Sequence, residues 1–247
     1  MRDGVEINLK SGPDDKVTAA DIALSKLICG GLAKRFIGDC VVSEEDSEHL
    51  FDQSSKRVWV IDPIDGTQNY ILDDGQYCVM VGLIVNCRPS FGWVYAPSAG
   101  SLYFGGPDYG AHRRSPGKNS KKFPSLAAMN PSGDVRLLMG SRDRKAHPWV
   151  TDLEQVSLVK TGSIGLKVGR ILDGDADVFV HLSRKLKIWD TAGPAAIALG
   201  AGLEVGTLDG EELAFPLPSI IHDTTVVMGR PGALSWCHNH LYQKHRH

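Results

Sequence analysis

Two aspartates three residues apart follow an apolar run in the segment WVIDPIDGT, residues 59–67. Asp65 comes one tight turn after Asp62, because Pro63 fixes its own φ and holds Asp62 extended. Two carboxylates this close repel each other unless a cation neutralises them. Mg²⁺ takes carboxylate and carbonyl oxygens as ligands, and Ile64 offers a carbonyl between the two acids. The spacing therefore indicates a Mg²⁺ site, with a polar turn after a strand as the alternative interpretation.

The two residues after Asp65 point to phosphate chemistry. Gly66 and Thr67 can present bare backbone N–H groups at the start of a helix, where the helix dipole favours a phosphate. Acids for a metal beside amides for a phosphate are what a metal-dependent phosphate enzyme needs.

Three other acids are candidates for the same site, although each has an ordinary structural interpretation. Asp21 follows Thr18 at capping-box spacing, so it can simply cap a helix. Glu44 lies with Glu45 after a short apolar pair and can belong to a solvated loop. Asp190 precedes a run of small residues and can be the N-cap of a helix, although one carboxylate oxygen is enough for capping.

The elements before residue 107 suggest a helix followed by an antiparallel sheet. A helix is predicted from Thr18 to about Phe36, with one apolar face. A strand is predicted to end at Asp62, and strands at 76–85, 91–97 and 101–104 follow at hairpin spacing. The residues expected on the apolar face of the helix are Ala20, Leu24, Leu27, Ile28 and Leu32.

A polar stretch from Pro107 to Asp134 is the predicted seam between an N-terminal lobe, residues 1–133, and a C-terminal lobe, residues 134–247. Strands and helices alternate beyond it, which favours layered sheets with helices between or outside them. The predicted elements are strands at 135–141, 156–160, 177–182 and 223–229, and helices at 163–174 and after Asp190.

Composition excludes several classes of protein. The chain has 247 residues, 42% of them hydrophobic and 23% charged, which is ordinary for a globular protein. A net charge of −2 argues against a general nucleic-acid binder. No apolar run reaches the length of about 20 residues that spans a bilayer, and MRDGVEINLK lacks the core of a signal peptide. Five cysteines without a CxxC pair favour reduced thiols and a cytoplasmic location.

The candidate acids lie in ordered motifs that resemble the inositol monophosphatase superfamily of lithium-sensitive, Mg²⁺-dependent phosphatases. The resemblance covers the chain from about Val5 to Gly232 and implies a layered αβαβα sandwich of the inositol monophosphatase and fructose-1,6-bisphosphatase type. The motifs are VTAAD (17–21), SEED (43–46), WVIDPIDGT (59–67), GSIGLK (162–167), GDADVF (174–179) and WDTA (189–192).

The resemblance also implies a role for each acid. Glu44, Asp62 and the carbonyl of Ile64 would hold a first Mg²⁺, and Asp62, Asp65 and Asp190 a second. Glu44 would also reach a third, weaker ion. Asp21 and Thr67 would orient the attacking water, and the backbone of Gly66 and Thr67 would hold the phosphate.

Within the superfamily, the segment from Asp73 to Gly105 favours the CysQ-like 3′(2′),5′-bisphosphate nucleotidases. That branch removes the 3′-phosphate of adenosine 3′,5′-bisphosphate, and some members act on its sulfated form. The alternatives are an inositol monophosphatase or sugar-phosphate phosphatase, and a non-catalytic binder of nucleotide or metal. The resemblance leaves a homodimer open.

Ser163 and Lys167 match the GSxxxK motif and are the first candidates for substrate contacts, with Arg184 in the basic run before Trp189 as a cation for the second phosphate. That run has a solvated loop as its alternative. Solvated lysines and arginines are also the expectation for the seam, and a disordered end is expected for the histidine-rich CHNHLYQKHRH.

Two departures from the superfamily pattern are present, and only the first is expected to affect the protein. One or two helices normally precede the VTAAD segment, so we expect either a smaller N-terminal lobe or a truncated chain, which puts dimer formation in doubt. Pro194, in DTAGPAA, is expected near the first turn of its helix, where a missing N–H costs least.

Overall fold

Two β-sheets divide the strands of the chain between them. The computed structural model describes residues 7–9, 16–46, 55–130 and 132–245. In the first sheet β3 and β4 are parallel and the later neighbours are antiparallel, in the order β3-β4-β5-β6-β7-β8-β9. Its strands are β3 (Cys40–Ser43), β4 (Arg57–Asp65), β5 (Cys78–Val85), β6 (Arg88–Ala96), β7 (Ser101–Gly106), β8 (Gly110–Arg114) and β9 (Lys121–Lys122).

The second sheet has the order β11-β10-β12-β14-β13. Its first three strands are parallel, and β14 runs antiparallel to both of its neighbours. The carboxyl ends of β10, β11 and β12 therefore meet at one edge. The strands are β10 (Val135–Met139), β11 (Val156–Val159), β12 (Val178–His181), β13 (Glu204–Gly206) and β14 (Val226–Gly229).

Seven α-helices lie within the described residues, together with a short antiparallel pair, β1 (Ile7–Leu9) and β2 (Lys16–Thr18). The helices are α1 (Ala19–Arg35), α2 (Thr67–Leu72), α3 (Ser141–Ala146), α4 (Ile164–Leu172), α5 (Ile188–Gly200), α6 (Ala233–Cys237) and α7 (Gln243–His245). The region before Val17, where the superfamily has additional helices, lies outside the described residues except for β1 and Lys16.

The helices α4 and α5 fill the space between the two sheets, and α1 packs outside the first sheet on β3 and β4. Glycine at the contact lets the backbone of α5 lie directly on the sheet. A Cβ added to Gly82 would lie 2.6 Å from the nitrogen of Gly193, and one added to Gly92 would lie 2.1 Å from its carbonyl oxygen. The layering confirms the αβαβα sandwich.

The second sheet is covered on both faces, as the alternation of its side chains requires. Phe179 and Met228 point to the core between the sheets. Val178 and Val227 point to the opposite side, which α6 and the chain up to Leu241 cover.

The disordered end predicted for the histidine-rich segment is wrong for the residues described. A π-helical turn, His238–Tyr242, continues α6 and leads into α7. Cys237 and Leu241 are fully buried there, because their side chains close the outer face of the second sheet.

The predicted apolar face of α1 is wrong for Leu27, whereas the other four residues predicted on it are half-buried. The helix turns Asp21 and Ser25 towards the sheet, and the Ser25 hydroxyl lies 2.8 Å from that of Ser43. Leu27 is 71% exposed. The polar residues face inwards because the helix carries Asp21 to the buried end of β4.

Two predicted boundaries differ from the structure. The strand expected to end at Asp62 continues to Asp65, but its pairing with β5 is irregular between these residues, where Pro63 has no N–H to donate. The predicted seam begins too early, because β8 and β9 extend the first sheet to Lys122. The two-lobe division at residue 133 stays a prediction.

Within the described residues, no helix combines the length and the apolar character that crossing a membrane requires.

We expect Gly92→Ala to destabilise the protein, because the new methyl group has no room beside the Gly193 carbonyl. Overpacking of this kind costs about 1–3 kcal/mol. Urea unfolding would measure the loss. Gly31→Ala is the matched control, since a Cβ at Gly31 in α1 meets nothing within 4 Å. Equal stability of Gly92→Ala and wild type would contradict the close approach of α5.

Candidate active site

Asp62 belongs to a group of five carboxylates, of which three are buried and two are partly exposed. Only 2% of its surface is exposed, and its Oδ1 is buried with no hydrogen-bond partner in the described part of the chain. Burial raises the pKa of Asp62 well above its ordinary value, and the charges of four other acids raise it further. These acids are Glu44, Asp65, Asp190 and Asp21. The acids singled out in the sequence therefore come together in space.

Asp65 joins the end of β4 to the start of α4. Its Oδ2 accepts a hydrogen bond of 2.9 Å from the backbone N–H of Gly165. Burial raises the pKa of Asp65, while the ammonium group of Lys167 and the Gly165 N–H limit the rise. The orientation of this carboxylate thus depends on a contact between residues 100 positions apart.

Asp21 is both a capping residue and a member of the site. It is the third residue of α1, and its Oδ2 accepts hydrogen bonds from the backbone N–H of Thr18, at 2.8 Å, and from the Thr18 hydroxyl. The capping box predicted from the sequence is confirmed. Its second oxygen, Oδ1, lies 3.5 Å from the hydroxyl of Thr67.

Thr67 lies between Asp21 and the carbonyl of Ile64. Its hydroxyl is 3.1 Å from the Ile64 oxygen, which is closer than Asp21 Oδ1. A hydroxyl has one proton to donate, so these two acceptors compete for it. Gly66 precedes α2 with φ of +93°, a conformation that glycine adopts without strain.

Asp190 is the third residue of α5, so the prediction that it is the N-cap is wrong. The helix begins two residues earlier, and the Asp190 carboxylate accepts a hydrogen bond of 2.6 Å from the N–H of Lys187 at the cap position. Burial and the charge of Glu44 raise the pKa of Asp190 to about 8. Pro194 consequently lies in the second turn of α5, not near the first, and the missing N–H leaves the Asp190 carbonyl without its usual helical donor.

Glu44 begins the 3₁₀ turn Glu44–Asp46 directly after β3. Ser43 pairs with Ile61 in the parallel contact of β3 with β4. The residues that follow them, Glu44 and Asp62, therefore lie side by side. This register explains why Glu44 raises the pKa of both Asp62 and Asp190.

The donor set fits hard divalent cations. The acids supply only oxygen ligands, and Ile64 adds a carbonyl beside them. The unpaired Oδ1 of Asp62 is the kind of buried atom that needs a cation. No three His, Cys, Asp or Glu side chains within the described ranges yet converge on a single coordination point.

Ser163 and Lys167 lie at the site but turn towards the protein. The Ser163 hydroxyl caps α4 by accepting from the N–H of Leu166 at 3.0 Å. The Lys167 ammonium group is buried and donates to the carbonyls of Gly162 and Ser163, at 2.9 and 3.1 Å. Both residues hold the start of α4 against Asp65, and their contact with substrate stays a prediction.

Arg184 is exposed in the loop after β12. Its charge adds to the effect of burial in lowering the pKa of His245 in the C-terminal helix. The cation of the basic run that acts on the acidic group is instead Lys187, whose charge opposes the rise in the pKa of Asp190. A substrate contact by Arg184 stays a prediction.

Comparison with known proteins is consistent with this geometry. The model of the inositol monophosphatase family matches residues 1–245. The 3′(2′),5′-bisphosphate nucleotidase CysQ of Salmonella typhimurium is 32% identical over 207 residues, covering 82% of this chain and 80% of that protein. The chain belongs to the inositol monophosphatase family.

Solved structures of the inositol monophosphatase family show the same fold. The SuhB protein of Bartonella henselae superposes with a TM-score of 0.79 at 21% identity, over 96% of this chain and 88% of that one. An IMPase/NADP phosphatase complexed with NADP and Ca²⁺ gives a TM-score of 0.79 at 21% identity, over 96% of this chain and 86% of that one.

Membership of the inositol monophosphatase family makes the chain a phosphatase, and enzymes of this family use divalent metal ions. Small phosphorylated molecules are the substrates expected for this family.

The sequence interpretation missed a second group of polar residues at the edge where β10 and β12 end. Asp143, in α3, lies 2.9 Å from Nδ1 of His181 and also accepts from Ser183. Burial alone would raise the pKa of Asp143, but its hydrogen bonds with His181, Ser183 and Leu182 hold it below its ordinary value. His181 Nε2 is buried without a partner among the described residues. The available signal for Asp143 and His181 was their position at the ends of predicted strands, where functional residues often lie in parallel sheets.

We expect divalent metal binding to release protons and to strengthen as the pH rises towards and above 8. The folded-state pKa of Asp190 is about 8, and that of Asp62 is also raised, so an ion must displace protons from these carboxylates below that pH. Calorimetric titration of metal-free protein at pH 6.5 and 8.5, in buffers of different ionisation enthalpy, measures the protons released.

Asp173→Asn is the control for that titration, because Asp173 is bonded to Arg113 and Tyr103, away from the acidic group. It should release as many protons as wild type. Affinity that is the same at both pH values, with no buffer dependence, would contradict the raised pKa values.

Proposed function

We propose that the enzyme removes the 3′-phosphate of adenosine 3′,5′-bisphosphate, giving AMP and phosphate, with the sulfated analogue as a second candidate substrate. The observation that carries the phosphatase chemistry is the buried, unpaired Oδ1 of Asp62 among four further acids. The choice of substrate is supported by the 32% identity to CysQ, a 3′(2′),5′-bisphosphate nucleotidase.

Mg²⁺ is the proposed metal, with two ions in the site and a third, weaker one near Glu44. Glu44, Asp62 and the Ile64 carbonyl would hold the first ion, and Asp62, Asp65 and Asp190 the second. The bound ions would supply a lowered pKa for the attacking water and charge neutralisation for the phosphoryl and leaving oxygens.

Asp21 and Thr67 are proposed to orient the attacking water. Two hydrogen bonds from Thr18 hold Asp21 Oδ2, so the carboxylate presents Oδ1 towards Thr67. When the Ile64 carbonyl is engaged as a ligand, the Thr67 hydroxyl donates to Asp21 instead. The lone pair of the Thr67 hydroxyl would then face the water, and Asp21 would receive the Thr67 proton as Thr67 takes one from the water.

The first turn of α2 is proposed to hold the transferred phosphate. Backbone N–H groups at a helix start have no partner within the helix. Gly66 and Thr67 place such groups directly after Asp65, so the phosphate is held beside the carboxylates that position the ions. Ser163 and Lys167 support this geometry by fixing the start of α4 against Asp65.

A phosphate-release assay with several substrates tests the proposal. The panel is adenosine 3′,5′-bisphosphate, its sulfated form, AMP, inositol 1-phosphate and fructose 1,6-bisphosphate, each with Mg²⁺ and with added Li⁺. We expect the highest kcat/KM for adenosine 3′,5′-bisphosphate and none without a divalent ion. Preference for inositol 1-phosphate or a sugar phosphate would instead favour the alternative function, an inositol or sugar-phosphate phosphatase. The solved structures of the same fold support that alternative only through their architecture.

We expect Thr67→Ala to lower kcat by about 10²-fold, the lower range for a group that positions a proton transfer, while metal affinity stays unchanged. Thr67→Ser is the matched control because it keeps the hydroxyl. Steady-state kinetics and calorimetric metal titration of both variants separate chemistry from binding. Loss of the metal in Thr67→Ala, or equal damage in the two variants, would refute the orienting role.

A further inference from the structure

A cavity of about 450 Å³ lies at the end of α4 that faces away from the acidic site. The strand β8, the loop that follows it and the last turn of α4 form its walls, through residues that include Arg113, Lys118, Lys121, Phe123 and Leu172. Cavities of this size accommodate small organic ligands.

The cavity carries a surplus of positive charge. Its lining contains three cationic side chains, Arg113, Lys118 and Lys121, and one carboxylate, Asp173. Asp173 is already engaged, since it accepts from Arg113 Nη1 at 3.0 Å and from the Tyr103 hydroxyl at 2.6 Å. Among the described residues, Lys118 and Lys121 form no salt bridge. An anion is therefore the ligand that the charge favours.

Arg113 is held in place by hydrogen bonds that use only part of its five N–H donors. Its guanidinium group lies 5.5 Å from the centre of the Tyr103 ring, and Nη2 lies 3.4 Å from the hydroxyl of Ser101. Its Nε is buried and has no hydrogen-bond partner in the described ranges. A fixed guanidinium group beside two lysines suits a phosphate, which accepts several charge-assisted hydrogen bonds at once.

One wall of the cavity is apolar. Phe123 stacks on Tyr103, with ring centres 6.2 Å apart and planes 7° from parallel, and Leu172 lies beside it in the lining. A flat ring in the ligand can pack on this wall while its phosphate meets the cations. Simple phosphate would leave the wall unused.

The cavity is separate from the acidic site. Gly165 donates to Asp65 at the start of α4, whereas Leu172 lies seven residues later in the same helix. At the rise of an α-helix this separation is about 10 Å. None of the residues named in the acidic site lines the cavity.

We propose that this cavity binds a phosphorylated aromatic small molecule of the nucleoside monophosphate class. Lys118, Lys121 and Arg113 hold the phosphate, and the base packs on Phe123. The site lies apart from the substrate of the phosphatase reaction and does not depend on the identity of that substrate.

Binding of AMP, adenosine and inorganic phosphate to metal-free protein in EDTA tests the proposal. EDTA removes the ions that would hold a phosphate at the acidic site, and the amide shifts and the lysine variant report whether AMP occupies the cavity instead. We expect calorimetry to give the tightest binding for AMP, with amide NMR shifts at Lys118–Phe123 and Leu172–Asp173. The variant Lys118→Ala/Lys121→Ala should weaken AMP binding by about tenfold or more. The variant Lys26→Ala/Lys34→Ala removes the same charge from exposed positions on α1 and should bind AMP as wild type does.

Phe123→Leu separates the two halves of the proposed ligand. It should weaken the binding of AMP and leave that of inorganic phosphate unchanged. Equal affinities of wild type for AMP and phosphate, or AMP binding that the Lys118→Ala/Lys121→Ala variant does not reduce, would overturn the proposal, as would the absence of AMP binding to wild type. Phosphatase activity enters none of these measurements, so a wrong substrate assignment cannot produce or hide the result.

Discussion

Repulsion among buried carboxylates is the constraint on which the rest of this structure depends. Asp62 lies within the electric field of four other acids, and only 2% of its own surface is exposed. Such a group is unfavourable unless protons or cations neutralise it. The fold must therefore hold the acids close together against their own repulsion, and a bound divalent ion is stabilised because it relieves that repulsion.

Three of the five acids are held by a hydrogen bond from a backbone N–H at the start of a helix. Thr18 holds Asp21 at the start of α1, Gly165 holds Asp65 at the start of α4, and the N–H of Lys187 holds Asp190 at the start of α5. Three helix N-termini thus point at one place, and their dipoles stabilise negative charge there. The glycine contact that lets α5 lie on the first sheet is part of the same arrangement, since it determines where Asp190 lies.

Sequence reasoning succeeded where the signal was local and failed where packing decided the outcome. The Thr18–Asp21 capping box needs only adjacent residues, and the structure confirms it. The place of Leu27 on the apolar face of α1 was wrong because the helix must turn Asp21 inwards, leaving Leu27 exposed. The disorder predicted for the histidine-rich C-terminal segment was wrong because Cys237 and Leu241 complete a core that exists only once the second sheet has formed.

The amino-acid sequence by itself determined the chemistry: which acids are present, the three-residue spacing of Asp62 and Asp65, and the motif order that identifies the family. Tertiary structure alone decided the Gly165–Asp65 contact, the inward orientation of Ser163 and Lys167, and the pairing of Asp143 with His181. These contacts join residues far apart in the chain, so their geometry depends on how the two sheets and the helices between them pack. A local pattern carries no information about that packing, whereas the short separation of Asp62 and Asp65 along one strand is fixed by the order of residues alone.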